Sequence, residues 1–178
     1  MKTVWIGLAL AFMLPGPTRG EALRPTPEQF RSGFNDALSR RGLTMRMAAW
    51  KAEKPAAPSV AAEVTSNIQA FAQLDDARGV SSVLLLMHTT GSVESVVQII
   101  AAVAATTYAA NPELPQQDRE LLFAELGFYD EGWSGRGLDG IASRKGHTYR
   151  VIHPGNDTLV IAVVSWNAGV EPTSPFVF

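Results

Sequence analysis

The run from Val93 to Ala110, VESVVQIIAAVAATTYAA, holds one acidic residue and neither lysine nor arginine. Its apolar residues spread nearly all round a helical wheel, so a helix here needs cover on most of its sides. Ser92 stands before it as an N-cap and the NPELP stretch ends it. Glu94 and Gln98 set it apart from a membrane span. Val96, Val97, Ile100 and Val103 are expected in the core of a layered domain, with this helix packed between a sheet and another layer.

The flanking sequence supplies the strands. Residues 43–89 read as three of them. LTMRMAAW alternates Leu43, Met45 and Met47 with Thr44 and Arg46, the period of a half-buried strand. KAEKPAAPSVAAE, with two prolines, reads as an exposed loop. VTSNIQAFAQL places Ile68, Ala70, Ala72 and Leu74 on one face, and VSSVLLLMHTT is apolar on both faces, as a central strand is. DDARG between them is a turn, which accounts for the adjacent carboxylates of Asp75 and Asp76. After the central helix, PQQDRELLFAELG reads as a shorter helix closed by Gly127. LDGIAS, HTYRVIH and TLVIAVVSW follow as strands, joined by the turn signals RKG and PGND.

Ahead of all these, RPTPEQFRSGFNDALSRRG reads as a helix with Thr26 as N-cap, Pro27 in the first turn and Gln29 completing a capping box. Phe30, Phe34, Ala37 and Leu38 form its apolar stripe and Gly42 its stop. The expected order is therefore α-βββ-αα-βββ, an α+β domain with an antiparallel sheet of about six strands packed on helices.

The N-terminus has a separate logic. Lys2 precedes the apolar stretch VWIGLALAFML, and Pro15, Gly16 and Pro17 then break any helix. Small residues at Gly20 and Ala22, or Thr18 and Gly20, suit cleavage after residue 22 or 20. A basic start, a short apolar region and a small-residue cut site are the pattern of a secretory signal peptide, and the run is shorter than the ~20 residues of a spanning helix. The expected organisation is a signal peptide over 1–22, one domain over 23–168 and a flexible tail over 169–178, in an exported, periplasmic or secreted protein without a further membrane span. Cleavage removes Lys2, Arg19 and Glu21 from totals of 15 basic and 17 acidic side chains, leaving 13 and 16 and a formal charge of −3. That mild acidity speaks against nucleic acid as a partner, since phosphate binding needs a clustered basic surface. Cysteine is absent, so disulfides, thiol chemistry and thiolate-bound zinc are excluded.

Few residues carry a chemical signal. GWSGRGLDG, residues 132–140, approaches a nucleophile elbow and contains a G-x-G-x-x-G spacing. Both motifs need a strand running into a helix, and here a helix runs into a strand. The segment is expected to be a loop, with Trp133 folded back as a lid on the core. His147 and His153 share a strand face ~20 Å apart, too far for one metal. His88 ends another strand, and all three histidines are expected at strand ends on the surface, with no metal site and no cofactor. Trp133, Arg136, Tyr149, Arg150 and Trp166 make an aromatic and arginine set of the kind that suits a partner interface or sheet-face pocket. The leading expectation is a non-catalytic binding or interaction protein of the cell envelope, its ligand or partner unspecified. The alternative is a small secreted hydrolase built on Ser134, His147 and Asp139 or Asp157, which geometry must decide.

Overall fold

A computed structural model describes residues 24–52, 54, 57–129, 138–153 and 158–164. The first helix, α1, runs Pro27–Ser39, and its capping box forms as the sequence implies. The Gln29 amide donates to Thr26 Oγ1 at 3.2 Å, and the Thr26 amide donates to Gln29 Oε1 at 2.8 Å. The stripe of Phe30, Phe34, Ala37 and Leu38 is buried, and Gly42 closes the helix at φ 71°.

The segment that follows departs from expectation. Residues 43–50 form no strand. They lie beside β1 (Ser59–Thr65), where the Ala48 amide donates to the Glu63 carbonyl and, one residue beyond the segment, Lys51 and Ala61 exchange a reciprocal pair of backbone bonds, all at 2.8 Å. A side chain takes the place of a ladder: Asn35 on α1 donates to the Met47 carbonyl at 3.1 Å and accepts from its amide at 2.7 Å. β1 itself begins inside the stretch expected to be loop. Its alternation of Val60, Ala62 and Val64 is genuine but carried partly by alanine, a weak strand former. Ser66 and Asn67 then split VTSNIQAFAQL into the end of β1 and all of β2 (Ile68–Leu74). β3 runs Val80–His88 after a turn in which Asp75 Oδ1 accepts from the Gly79 amide at 2.7 Å.

The apolar helix, α2, spans Val93–Ala110 with Ser92 as N-cap. Its length and composition would pass for a membrane span, yet over half of it is buried in the protein. The burial is uneven. Ile99, Val103 and the alanines 101, 102, 105, 109 and 110 are covered, whereas Val93 is 81% and Val97 48% exposed. Val96 and Ile100 are only half-buried, so full cover of this helix is corrected. Small residues let α1 approach the C-terminal end of α2. At Gly33 of α1, an added Cβ would stand 3.4 Å from the Ala109 Cα, so the two backbones approach closely there.

α3, Gln116–Glu125, buries Leu122 and Phe123 and ends before Gly127 at φ 81°. β4 (Leu138–Arg144) and β5 (His147–His153) form a hairpin whose two turn residues, Lys145 and Gly146, have φ of 45° and 79°. Positive φ at both positions is the mark of a tight turn that follows the strand twist. β6 runs Thr158–Val164.

The α+β class and the antiparallel pairing follow the expectation. β1-β2-β3 form one meander and β4-β5-β6 another. β3 pairs with β6 from Ser82–Val164 to His88–Thr158, giving the strand order β1-β2-β3-β6-β5-β4. The core joins Phe30 and Phe34 of α1 and Ile99 and Val103 of α2 to Ile68, Val83, Leu85 and Val151 of the strands. On the opposite strand faces Phe71 is 36% and Ile141 52% exposed. Under α3 the sheet comes close, because a Cβ on Gly140 would lie 2.7 Å from the Leu126 carbonyl oxygen.

Candidate functional site: a polar corner between two cavities

The end of α2, the turn at 111–115, the first turns of α3 and the start of β5 meet at one corner. Four of its polar side chains are buried: Asn111, Arg119, His147 and Tyr149. Arg119 stands at the head of the α3 stripe, with Leu122, Phe123 and Leu126 following at i+3, i+4 and i+7. Its position on that stripe turns it inward. Its Nε donates to the Leu114 carbonyl at 3.0 Å, and Nη2 donates to the carbonyls of Asn111 at 2.7 Å and Pro112 at 3.2 Å. One guanidinium thereby ties down the α2–α3 turn. The same group lies 4.9 Å from the centre of the Tyr108 ring, and Arg40 lies 5.2 Å from it, a pair of cation–π contacts. Arg40 also donates to the Tyr108 hydroxyl.

The corner is not saturated. Asn111 Nδ2, Arg119 Nη1 and Tyr149 Oη are buried without a hydrogen-bond partner among the described residues. Each such group costs desolvation that no bond returns. Among the described residues, moreover, no carboxylate comes within 4 Å of Arg40, Arg41 or Arg119. Burial, with some help from Arg41, pulls the Arg119 guanidinium below its ordinary range. Burial pushes the Tyr149 phenol well up despite the nearby cation. His147, its ring stacked 6.2 Å from Tyr149 and its Nδ1 3.0 Å from the Lys145 carbonyl, is drawn down, chiefly by burial.

Two cavities flank the corner. The larger, about 590 Å³, opens between α1 and the α2–α3 turn and is lined by Arg24, Gln29, Gly33, Tyr108, Asn111 and His147 among others. The smaller, about 200 Å³, lies between α2 and α3. Its walls are Ile100, Ala104, Phe123, Phe128 and Tyr129, with Arg41, Arg119 and Glu120 as its charged groups.

The residues singled out from sequence fall elsewhere in part. Trp133, Ser134, Arg136, Asp157 and Trp166 lie outside the described residues. Arg150 sits half-buried on the strand face opposite Tyr149, and both its Nε and Nη2 donate to Asp139, at 2.8 and 2.7 Å. Tyr149 is in the core, 1% exposed. His147 and His153 are buried at 4% and 6%, against the expectation of surface histidines; only His88 is exposed. They point to the covered face with Tyr149 and Val151, which the alternation of HTYRVIH did not reveal because both strand faces carry mixed residues. Asp139 pairs across the hairpin with Ile152, whereas His147 pairs with Arg144 at the other end. The two are thus not brought together, and Asp139 is already engaged by Arg150. Sequence reasoning missed Arg119 and Asn111. The available signal was a single charge on an otherwise apolar helical stripe. In comparisons with known proteins, the chain matches no family model, no curated protein and no solved structure.

Proposed function

We propose that the protein is an exported, non-catalytic binding domain that holds a small polar ligand in the larger cleft beside Tyr108. The cleft itself carries this reading. Its volume of about 590 Å³ falls within the ~300–1,000 Å³ typical of small-molecule sites. It is lined by groups able to fix an orientation: the Tyr108 hydroxyl, the Asn111 amide, the Gln29 amide and the His147 ring. Asn111 Nδ2 is a buried donor that a ligand oxygen would satisfy. Export rests on the N-terminal pattern of Lys2, the apolar stretch and the Pro15-Gly16-Pro17 break. In this reading the two meanders act as one continuous six-stranded sheet, a rigid floor beneath the helices that shape the cleft. The hydrolase alternative has less support, because Asp139 is held by Arg150 and stands apart from His147.

Two measurements test it. Intact mass of the protein from its native host is expected to show loss of 20 or 22 residues; a full-length soluble species contradicts export. A thermal-shift screen of small polar metabolites is expected to yield stabilising compounds whose effect is lost in Glu113→Trp, which fills the cleft at an exposed lining position. Compounds that stabilise wild type and variant equally, or none at all, contradict the cleft as the site.

A further inference from the structure

The geometry points to a second site: the smaller pocket between α2 and α3 binds a short-chain monocarboxylate, its carboxylate against Arg119 and Arg41 and its hydrocarbon against Ile100, Ala104 and Phe123. This pocket shares no lining residue with the larger cleft. The inference therefore does not depend on the cleft reading.

Charge selects an anion. Arg119 is 8% exposed, its Nη1 has no partner among the described residues, and no carboxylate lies within 4 Å of it there. A buried guanidinium normally has such a partner. Arg41 adds a second cation whose one hydrogen bond among the described residues goes to the Ala37 carbonyl of its own helix. Glu120 shares the lining but is bonded to Gln116, whose Nε2 donates to it at 3.1 Å. Two guanidiniums less one carboxylate leave a single positive charge, which matches a monoanion better than a phosphate dianion.

Shape and walls select the rest. Half of the lining residues are apolar or aromatic, so an ion that is all charge would waste them. The volume of about 200 Å³ is below the ~300–1,000 Å³ of drug-sized sites, which excludes long-chain lipids and favours a chain of a few carbons. A carboxylate also suits the planar fork of Arg41, whose Nε and Nη2 make no hydrogen bond among the described residues, with Arg119 Nη1 as a further donor.

The test is calorimetric titration of the purified protein with the straight-chain carboxylates from acetate to decanoate, with hexanamide and inorganic phosphate beside them. Affinity is expected to rise about fourfold per methylene until the pocket is full and then to stop rising. Hexanamide and phosphate should each bind at least tenfold more weakly than hexanoate. Ala104→Phe, which fills the pocket while leaving both arginines in the sequence, is expected to abolish binding, and Arg41→Gln to weaken it about tenfold. Both variants are read alongside their thermal unfolding, since each lies at an incompletely buried position and should fold. Equal binding of hexanamide, tighter binding of phosphate, or undiminished binding by a folded Ala104→Phe protein would overturn the assignment. Carboxylate binding that survives Glu113→Trp, while that variant abolishes binding in the cleft, supports two separate sites. Loss of hexanoate binding in Glu113→Trp overturns the second site.

Discussion

Around β2 and β3 the buried side chains are Ile68, Ala70, Ala72, Leu74, Val80, Val83, Leu85 and Met87, all apolar. Where α2, α3 and β5 meet, Leu122, Val103 and Val151 are joined by Asn111, Arg119, His147 and Tyr149. The first region gains from each group taken out of water. The second loses desolvation energy on several groups and recovers only part of it, through the three carbonyls that Arg119 reaches. Neighbouring parts of one core are therefore held in different ways. The apolar part accounts for the fold, whereas the polar corner keeps unused donors next to two cavities.

The contrast can be broken most forcefully in the apolar region. Leu85→Ala, at a fully buried position, should cost about 2–5 kcal/mol by chemical denaturation; a loss under about 1 kcal/mol would mean that β3 is not central. Next comes the seam between α3 and the sheet. Gly140→Ala would set a methyl 2.7 Å from the Leu126 carbonyl oxygen and should cost about 1–3 kcal/mol by overpacking. Gly33→Ala offers the control, since its Cβ would meet Ala109 at ordinary contact distance and helix propensity favours alanine. Comparable losses at the two glycines would show that α3 does not approach the sheet as closely as described.

A smaller effect should appear with pH. Burial lowers the affinity of folded His147 for a proton below its ordinary value near 6.5. Between the folded and unfolded values the unfolded chain binds more protons, so this histidine's contribution is present above about pH 6.5 and is lost as pH falls toward the folded value. Asp75, held down against burial by the Gly79 amide and then Arg24, and Asp139, held down by Arg150, act in a separate and more acid window. Their contribution is lost only as pH falls below 3.8 through their folded values. Melting temperatures of wild type and His147→Asn, compared from pH 8 to 5, should diverge in slope below about pH 6.5. Parallel curves would place His147 in water.

How much of this was legible depends on what each element uses to hold its place. α1 declared itself completely, because its cap, its stripe and its stop are all local. β4 and β5 did so through the Lys145-Gly146 turn. β1 was hidden because alanines carry its inward face, and residues 43–50 looked like a strand because Asn35, twelve residues before Met47, supplies the bonds that a strand would have made. The exposure of Val93 and Val97 could not be read from composition, since a helix apolar all round does not say which turns its neighbours reach. The candidate site was the least legible part. Arg119, Asn111 and His147 come from three elements, and no spacing along the chain records that they converge.

The corner differs from the apolar core in that its hydroxyl and amide have no partner among the described residues of the ligand-free protein. Tyr149→Phe measures this most directly, because it removes one buried hydroxyl and leaves the ring, its packing and its stacking with His147 in place. Unfolding of the ligand-free variant should show stability equal to wild type or up to about 1 kcal/mol higher, as expected when an unsatisfied buried group is deleted. A loss of about 1.5 kcal/mol or more would show that the hydroxyl is bonded within the folded chain. The corner would then be an ordinary saturated part of the core.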